Sequence, residues 1–360
     1  MSQHRHQGVD TLRGLACLLL VALHTIGEAP EHGLRVADDH PLAVFAALFF
    51  HLRMPLFAML SGFVYGYRPV EPGQRLAFLG GKLGRLGLPY LFAATAFLAV
   101  NIVLGGPHAL PLTGINEAYL LPYAQFWFLQ ALFLIFLILA MADTLFPRAP
   151  FAVAAALFIV SAIAFLSPFG RGIEWLSFDR MLYLLPFFAF GLALNRMRPA
   201  VPRTLIAVLL GGALILMTLY ALDVFADPHR DIPRRTAIAL ALGTVLGGSL
   251  LVVTLRFDPL ARIGRFSFTI FLYHLFVVEA LQWLYASAGR PPAYVGLAMG
   301  VTAGIVCPIV FHLVVLRLGH WPARIALGLD ARARRETPAT VPWPGKNTGS
   351  EATASRLAKP

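Results

Sequence analysis

The first apolar stretch contains the residues best suited to chemistry, an arginine and a histidine eleven positions apart. Arg13 and His24 lie in the run DTLRGLACLLLVALH. Eleven residues of α-helix make about three turns and rise by roughly 16 Å, so both side chains point to nearly the same side. A neutral imidazole can take a proton from an attacking hydroxyl, and a guanidinium can bind an anionic cofactor. The spacing therefore predicts a helix that lines an enclosed path.

Both residues also have a structural explanation. A neighbouring helix can satisfy His24, and the Arg13 side chain can extend from the helix end to the lipid headgroups. Asp10 lies three residues before Arg13, within reach of an ion pair. Glu28 follows His24 by four residues, where its carboxylate could orient the imidazole. On spacing alone, the chemical and the structural interpretations have about equal weight.

Other ionisable residues lie in two later apolar segments. His51 and Arg53 are two residues apart in FFHLRMPLFAMLSGFVYG, so they do not share a helix face, and His51 is a weaker candidate than His24. His274 and Glu279 occur in RFSFTIFLYHLFVVEAL. Because an unpaired buried carboxylate is strongly disfavoured, Glu279 needs a partner or a proton. We expect His51, His274 and Glu279 to support or orient the reacting group, and for His274 and Glu279 we favour a structural role in which they link neighbouring helices.

A pair of cations precedes the third apolar segment. Lys82 and Arg85 are three residues apart, so at the start of a helix both would point the same way and could bind a phosphate of a nucleotide-bearing donor. The alternative is that they reflect the excess of basic residues in cytoplasmic loops, which we favour at roughly two to one on pattern alone.

Composition defines the elements that must position these residues. Of 360 residues, 58% are hydrophobic and 13% charged, whereas a soluble domain has about 25% charged residues. The pattern predicts an all-α polytopic membrane protein with about ten transmembrane helices in one bundle. Gly62 and Gly66 are expected to allow close helix contact. The predicted helices lie near 11–28, 42–67, 87–105, 119–141, 149–167, 181–196, 202–222, 236–256, 267–287 and 293–317.

The distribution of charge predicts orientation and excludes one class of partner. The net charge of +11 comes from basic residues spread over short loops, which argues against nucleic-acid binding. Loops on the N-terminal side are the more basic ones, so both termini are predicted to be cytoplasmic, as in a multi-pass protein of the inner (plasma) membrane. Cys17 and Cys307 lie in different segments and form no metal-ligand pair. We predict a membrane domain over 1–320 and a disordered cytoplasmic tail over 330–360.

Taken in order, these segments resemble the acyltransferase-3 family of integral membrane acyltransferases. The resemblance covers about residues 8–317, and the second and fourth helices look most like the fucose 4-O-acetylase-like branch. The matching pieces are Asp10-Thr-Leu-Arg13-Gly14, His24, Met54-Pro-Leu-Phe57, Ser61-Gly-Phe63, Lys82-x-x-Arg85 before Pro89-Tyr90, Trp127-Phe-Leu and Ser267-x-x-Ile-x-x-Tyr273-His274.

The resemblance implies O-acyl transfer, most often of acetyl from acetyl-CoA, to a hydroxyl of a carbohydrate, a lipid-linked sugar or another cell-envelope acceptor. Acyl-CoA would be a co-substrate from the cytoplasm, with no tightly bound cofactor. Arg13 and His24 correspond to the family's essential pair. Lys82 and Arg85 correspond to a paired-arginine motif, and a lysine at its first position loses the bidentate fork. Some relatives carry an extracytoplasmic hydrolase-like domain, so this chain is expected to act alone or with a separate extracytoplasmic partner.

These expectations combine into one mechanism and leave two alternatives. The phosphates of acyl-CoA would lie near Lys82, Arg85 and Arg13, with Arg262 and Arg265 contributing, while the pantetheine arm follows the first helix to His24. The acceptor would approach from the outer side. A transporter or permease for a small polar solute would also need buried polar residues, but the sequence shows no repeated halves. A membrane scaffold or sensor would leave the Arg13–His24 alignment unexplained.

Overall fold

The described part of the chain contains ten long helices. The computed structural model describes residues 3–27, 32–197, 201–227, 232–253, 255–319 and 321–328, and contains helices but no strands within them. The long helices, each starting and ending within eight residues of its predicted bounds, are α1 (Gln3–Ile26), α2 (Pro41–Tyr65), α3 (Leu88–Leu104), α4 (Trp127–Leu145), α5 (Pro150–Leu166), α6 (Phe178–Arg196), α7 (Arg203–Ala226), α8 (Ala237–Val253), α9 (Ser267–Ser287) and α10 (Ala293–Leu318).

Most of these helices are long and apolar enough to cross a membrane. Eight candidate spans meet both conditions. A ninth results if α8 and the short helix Asp258–Gly264, which meet at a bend of 116°, count as one span. The remaining helix, α5, is apolar but has only 17 residues. The protein is therefore an all-α polytopic membrane protein, as predicted. The predicted tail over 330–360 lies outside the described residues.

Glycines bring α2 and α6 into close contact. A Cβ atom on Gly62 would lie 2.0 Å from the carbonyl oxygen of Phe188, and one on Gly191 would lie 2.0 Å from that of Met59. A Cβ on Gly66 would lie 2.4 Å from the Asn195 amide oxygen. The predicted close helix contact at Gly62 and Gly66 is confirmed, because a methyl group at either position would collide with α6.

The first helix is held near its middle by the short helix Asp258–Gly264. Here a Cβ on Gly14 would lie 2.0 Å from the Leu260 carbonyl oxygen, and one on Gly264 would lie 1.8 Å from that of Asp10. The Thr11 hydroxyl accepts a hydrogen bond of 3.2 Å from the Phe257 amide. These contacts fix the position of Arg13 along the bundle.

Contacts between helices define two ends of the bundle. At the end that contains Arg13 (the Arg13 end), Asp143 near the end of α4 binds Arg196 at the end of α6. At the opposite end, which contains His24 (the His24 end), Arg235 before α8 binds Asp179 at the start of α6. Between the ends lies an aromatic core that includes Phe97, Phe126, Phe165, Phe187 and Phe188. A substrate path that runs from one end of the bundle to the other is therefore lined by side chains from different ends of the same helices.

Candidate active site

The first and ninth helices place two histidines side by side. The His24 and His274 rings lie 5.3 Å apart between centroids, with planes tilted by 44°. The His24 carbonyl accepts a hydrogen bond of 2.8 Å from the Gln282 side chain of α9, so α9 also holds the backbone at His24. His24 is half-buried and His274 is fully buried. The pair joins two helices that the sequence separates by 250 residues.

The hydrogen bonds of His274 define its tautomer. Nδ1 lies 2.9 Å from the carbonyl oxygens of both Ile270 and Phe271. Because carbonyls only accept hydrogen bonds, we assign the ring proton to Nδ1. Nε2 then carries a lone pair, and this atom is buried without a hydrogen-bond partner among the described residues. Next to His24 there is thus an oriented acceptor that could receive a hydrogen bond from a substrate.

Two guanidinium groups, one in a helix and one in a loop, contact the same aromatic ring. Arg53 lies in α2 with 5% of its surface exposed. The Phe50 ring lies beside both, with its centroid 5.8 Å from Cζ of Arg53 and 5.3 Å from Cζ of Arg234. The sequence-based site omitted both arginines. Arg53 could have been found from the sequence, because an arginine within an apolar helix is unusual. Arg234 lies in a loop, where no feature of the sequence distinguishes it from other loop arginines.

The predicted need of Glu279 for a partner is confirmed. Its carboxylate lies 3.2 Å from Nε2 of His108 and accepts a bond of 3.4 Å from the Asn101 amide. The amide oxygen of Asn101 in turn accepts the backbone N–H of His108, at 3.1 Å. Neither partner was predicted, because both lie about 170 residues before Glu279 in the chain. Glu279 follows His274 by five residues on α9, so this cluster and the histidine pair share that helix.

His51 is placed among aromatic rings. It is buried, with the Phe50 ring centroid at 5.2 Å and the Tyr220 ring centroid at 5.9 Å, both edge-on. The Tyr220 hydroxyl donates to the Ala47 carbonyl at 3.0 Å and so ties α7 to the start of α2. His51 therefore packs against Phe50, the ring that also contacts Arg53 and Arg234.

Arg13 lies near the middle of α1, eleven residues before His24, and is paired as predicted. Its Nη1 is 3.3 Å from the Asp10 carboxylate, and the Arg13 side chain is 34% exposed. Between Arg13 and His24, the helix contacts α9, where the Cys17 thiol lies 3.8 Å from the Ser267 carbonyl. Both α1 and α9 thus run in the same direction from the Arg13 end to the histidine pair. Arg262 and Arg265 are exposed at the short helix that contacts α1 near Asp10.

Lys82 and Arg85 occupy different local structures. Lys82 is the last residue of the α-helix Arg75–Lys82, and Arg85 lies in a π-helical turn, Leu83–Gly87, that leads into α3. The Lys82 ammonium lies 3.6 Å from the centroid of the Phe136 ring, a cation–π contact. Arg85 is exposed. In the structure, the predicted pair is therefore a lysine bound to an aromatic ring and an exposed arginine. The helical segment that contains them begins earlier than the sequence indicated, at Arg75.

Two further features bear on the predicted site. Glu28, proposed to orient His24, lies outside the described residues. Among the residues that the structure describes, no group of three or more histidine, cysteine, aspartate or glutamate side chains is arranged to bind a metal ion.

A comparison with protein families decides the class. The model of the acyltransferase-3 family, described as an acyltransferase domain, matches residues 6–313. The chain belongs to the acyltransferase-3 family. The match includes Arg13, His24 and all the clusters described above. This acyltransferase-3 protein is therefore a multi-pass membrane acyltransferase, and the transporter alternative is not favoured. Searches of curated proteins and of solved structures found no match.

Proposed function

We propose that this acyltransferase-3 protein transfers an acetyl group from acetyl-CoA to a hydroxyl of a carbohydrate or lipid-linked cell-envelope acceptor. The observation that supports this most directly is the histidine pair near the C-terminal end of α1, with Arg13 three turns earlier on the same helix. The likeness of the second and fourth helices to the fucose 4-O-acetylase-like branch favours a sugar hydroxyl. The arginine content of the loops at the Arg13 end favours a cytoplasmic position for that end, in the inner (plasma) membrane.

In the proposed reaction His24 is the general base. It takes the proton of the acceptor hydroxyl as the oxygen attacks the thioester carbonyl carbon. The carbon–sulfur bond breaks, the CoA thiolate leaves, and the imidazolium returns the proton to that sulfur. The products are an acetyl ester and CoA. Nε2 of His274 can accept a hydrogen bond from the acceptor, and the charge of Arg53 favours the negative oxygen that forms in the transition state. Transfer through an acylated residue would use the same groups in two steps.

The donor is proposed to bind at the Arg13 end. Arg85, Arg262 and Arg265 are exposed there, and such groups attract the phosphates of CoA. Arg13 and Lys82 would add positive charge from their positions beside Asp10 and Phe136. The pantetheine arm would follow the contact between α1 and α9 toward His24. Since the Cys17 thiol touches α9 here, the side chains along this contact must move to admit the arm.

The test uses purified full-length protein in liposomes with radiolabelled acetyl-CoA and extracted envelope glycans and lipids. His24→Gln should lower transfer by about 10²- to 10⁴-fold, the usual contribution of a general base. The control is His32→Gln, an exposed histidine at the same end, which should retain activity. Near wild-type transfer by His24→Gln with normal unfolding behaviour would remove the proposed base. Because no second protein is added, activity in this assay also tests whether an extracytoplasmic partner is needed.

A further inference from the structure

A short segment after α10 folds back onto the bundle at the Arg13 end. It comprises residues 321–328 (the C-terminal strap) and begins with the helix Trp321–Ala326. Gly319, at φ +68°, ends α10 in the left-handed conformation that glycine adopts readily. The acyltransferase-3 match ends at residue 313, so the strap lies outside the matched region. Its role must therefore be sought in its own contacts.

The strap is anchored on α9. The Tyr273 hydroxyl donates a hydrogen bond of 3.1 Å to the Ala326 carbonyl, and this bond is buried. Ala326 and Leu327 are 1% and 3% exposed, and Leu327 belongs to the main apolar core. Tyr273 directly precedes His274 and lies nearly two turns after the start of α9. The strap is thus inserted between helices, and one of its two attachments is next to the histidine pair in the chain.

The end of the strap packs against the turn that leads into α3. A Cβ atom on Gly328 would lie 2.9 Å from the Arg85 carbonyl oxygen, 2.9 Å from Cε1 of Phe268 and 3.3 Å from Cγ of Pro89. Gly328 also has a φ of +68°. Only a residue without a side chain fits this position without displacing its neighbours. The strap therefore joins the π-helical turn Leu83–Gly87 to the start of α9.

The π-helical turn has little packing of its own. Such turns are rare within α-helices and occur often at functional sites. None of the residues from Leu83 to Gly87 is buried. Two of them, Gly84 and Gly87, are glycines, which add backbone freedom. The position of this turn thus depends on a few contacts from outside it, and the contact of Gly328 with the Arg85 carbonyl is one of them.

We propose that the C-terminal strap is a positioning element for the donor, which holds the π-helical turn against α9 before acetyl-CoA binds. The turn carries Arg85 and directly follows Lys82, so its backbone sets where both side chains start. A site whose backbone is already ordered binds more tightly, because binding does not have to order it. This inference rests on the proposed function for its ligand, but the contact of the strap with the turn can be measured without any reaction.

Hydrogen exchange of the backbone amides of residues 83–88 tests that contact in the purified protein. Deletion of residues 321–360 removes the strap and should accelerate this exchange by about tenfold or more, because the turn then opens more often. Deletion of residues 330–360 is the matched control. It leaves the strap in place and should not change the exchange.

Point variants in the full-length chain test the same contact if the larger deletion fails to fold. Tyr273→Phe removes one neutral hydrogen bond from the strap and should accelerate the exchange by about two- to tenfold. Gly328→Ala should act like the larger deletion, since the new methyl group would collide with the Arg85 carbonyl. Its control is Gly289→Ala, at a glycine with a φ of +74° and no atom within 4 Å, which introduces similar backbone strain without a collision.

The donor arm measures the binding of CoA and the kinetics of acetyl transfer. Deletion of residues 321–360 and Gly328→Ala should each weaken CoA binding and raise the KM for acetyl-CoA by about tenfold, with kcat little changed. Deletion of residues 330–360 and Gly289→Ala should match the wild type. A strap that served only the stability of the bundle would not produce this separation of KM from kcat.

The outcomes separate the strap from the proposed reaction. Equal exchange and equal CoA binding in the two deletions would overturn the proposal, as would a loss confined to kcat. Faster exchange together with unchanged CoA binding would refute the role in donor binding. CoA binding that depends on the strap, without acetylation of any acceptor, would support the strap and refute the acetyl transfer. Absence of CoA binding by the wild type would refute both.

Discussion

Asp143 at the Arg13 end allows a quantitative test of what holds three helices together. Its carboxylate accepts a hydrogen bond of 2.7 Å from the Tyr65 hydroxyl of α2 and one of 2.5 Å from Nη2 of Arg196 of α6. The Asp143 and Arg196 side chains are each only 5% exposed. Nη1 of Arg196 donates to the Pro150 carbonyl at 2.6 Å, so the pair also reaches the start of α5.

The structure sets the expected size of the effect. Asp143→Ala leaves the Arg196 guanidinium buried without its carboxylate, which typically costs about 3–5 kcal/mol of unfolding free energy. The Tyr65 hydroxyl also loses its acceptor, a loss of about 1–3 kcal/mol when such a group stays buried. Because relaxation and water reduce such sums, we expect about 4 kcal/mol in all. The double variant Asp143→Leu, Arg196→Met should recover at least half of this, since no charge remains buried.

Equilibrium unfolding of purified protein in mixed micelles measures these differences. Asp39→Ala, which removes an exposed carboxylate, is the control and should change the unfolding free energy by about 0.5 kcal/mol or less. A loss below about 1 kcal/mol for Asp143→Ala would refute the argument from burial. So would a double variant that loses the sum of the two single losses, because the two residues would then act independently.

Two further predictions concern the Arg13 end. Gly264→Ala should cost about 1–3 kcal/mol of unfolding free energy and displace α1, because the new methyl group would overlap the Asp10 carbonyl. The control Gly80→Ala, which has no atom nearby, should be neutral or slightly stabilising. Thermal unfolding of the two variants measures the difference. Arg85→Gln should raise the KM for acetyl-CoA by about tenfold or more, and Lys82→Met, which replaces an ammonium bound to an aromatic ring, should raise it less. Equal effects on KM would contradict this division of roles.

The positions of the ten long helices follow from local sequence. Each is an apolar run bounded by proline, glycine or charged residues, and hydropathy adds up over neighbouring residues without regard to the rest of the fold. The largest differences are at the starts of α1 and α4, each eight residues from the predicted position. The π-helical turn Leu83–Gly87 extends the third segment backward, and the Lys82 side chain there rests on Phe136 of α4.

The candidate site was only partly predictable. Asp10 pairs with Arg13 because both lie on one helix at a spacing of three, which sequence displays directly. The expected burial of Glu279 indicated that a partner must exist. It could not indicate His108, since the contact joins a loop to a helix far along the chain. The contact between Arg234 and the Phe50 ring likewise depends on how the loop before α8 folds.

The sequence by itself determined the class of protein, the number and approximate positions of its long helices, and the residues on α1 that face one side. Those properties depend on composition and on helical periodicity, which are local. Only the tertiary structure placed His274 beside His24, assigned a proton to one nitrogen of His274, and packed the C-terminal strap against the turn that leads into α3. Such arrangements depend on the packing of helices distant in the chain, where small differences in contact free energy between alternative partners decide which side chains meet.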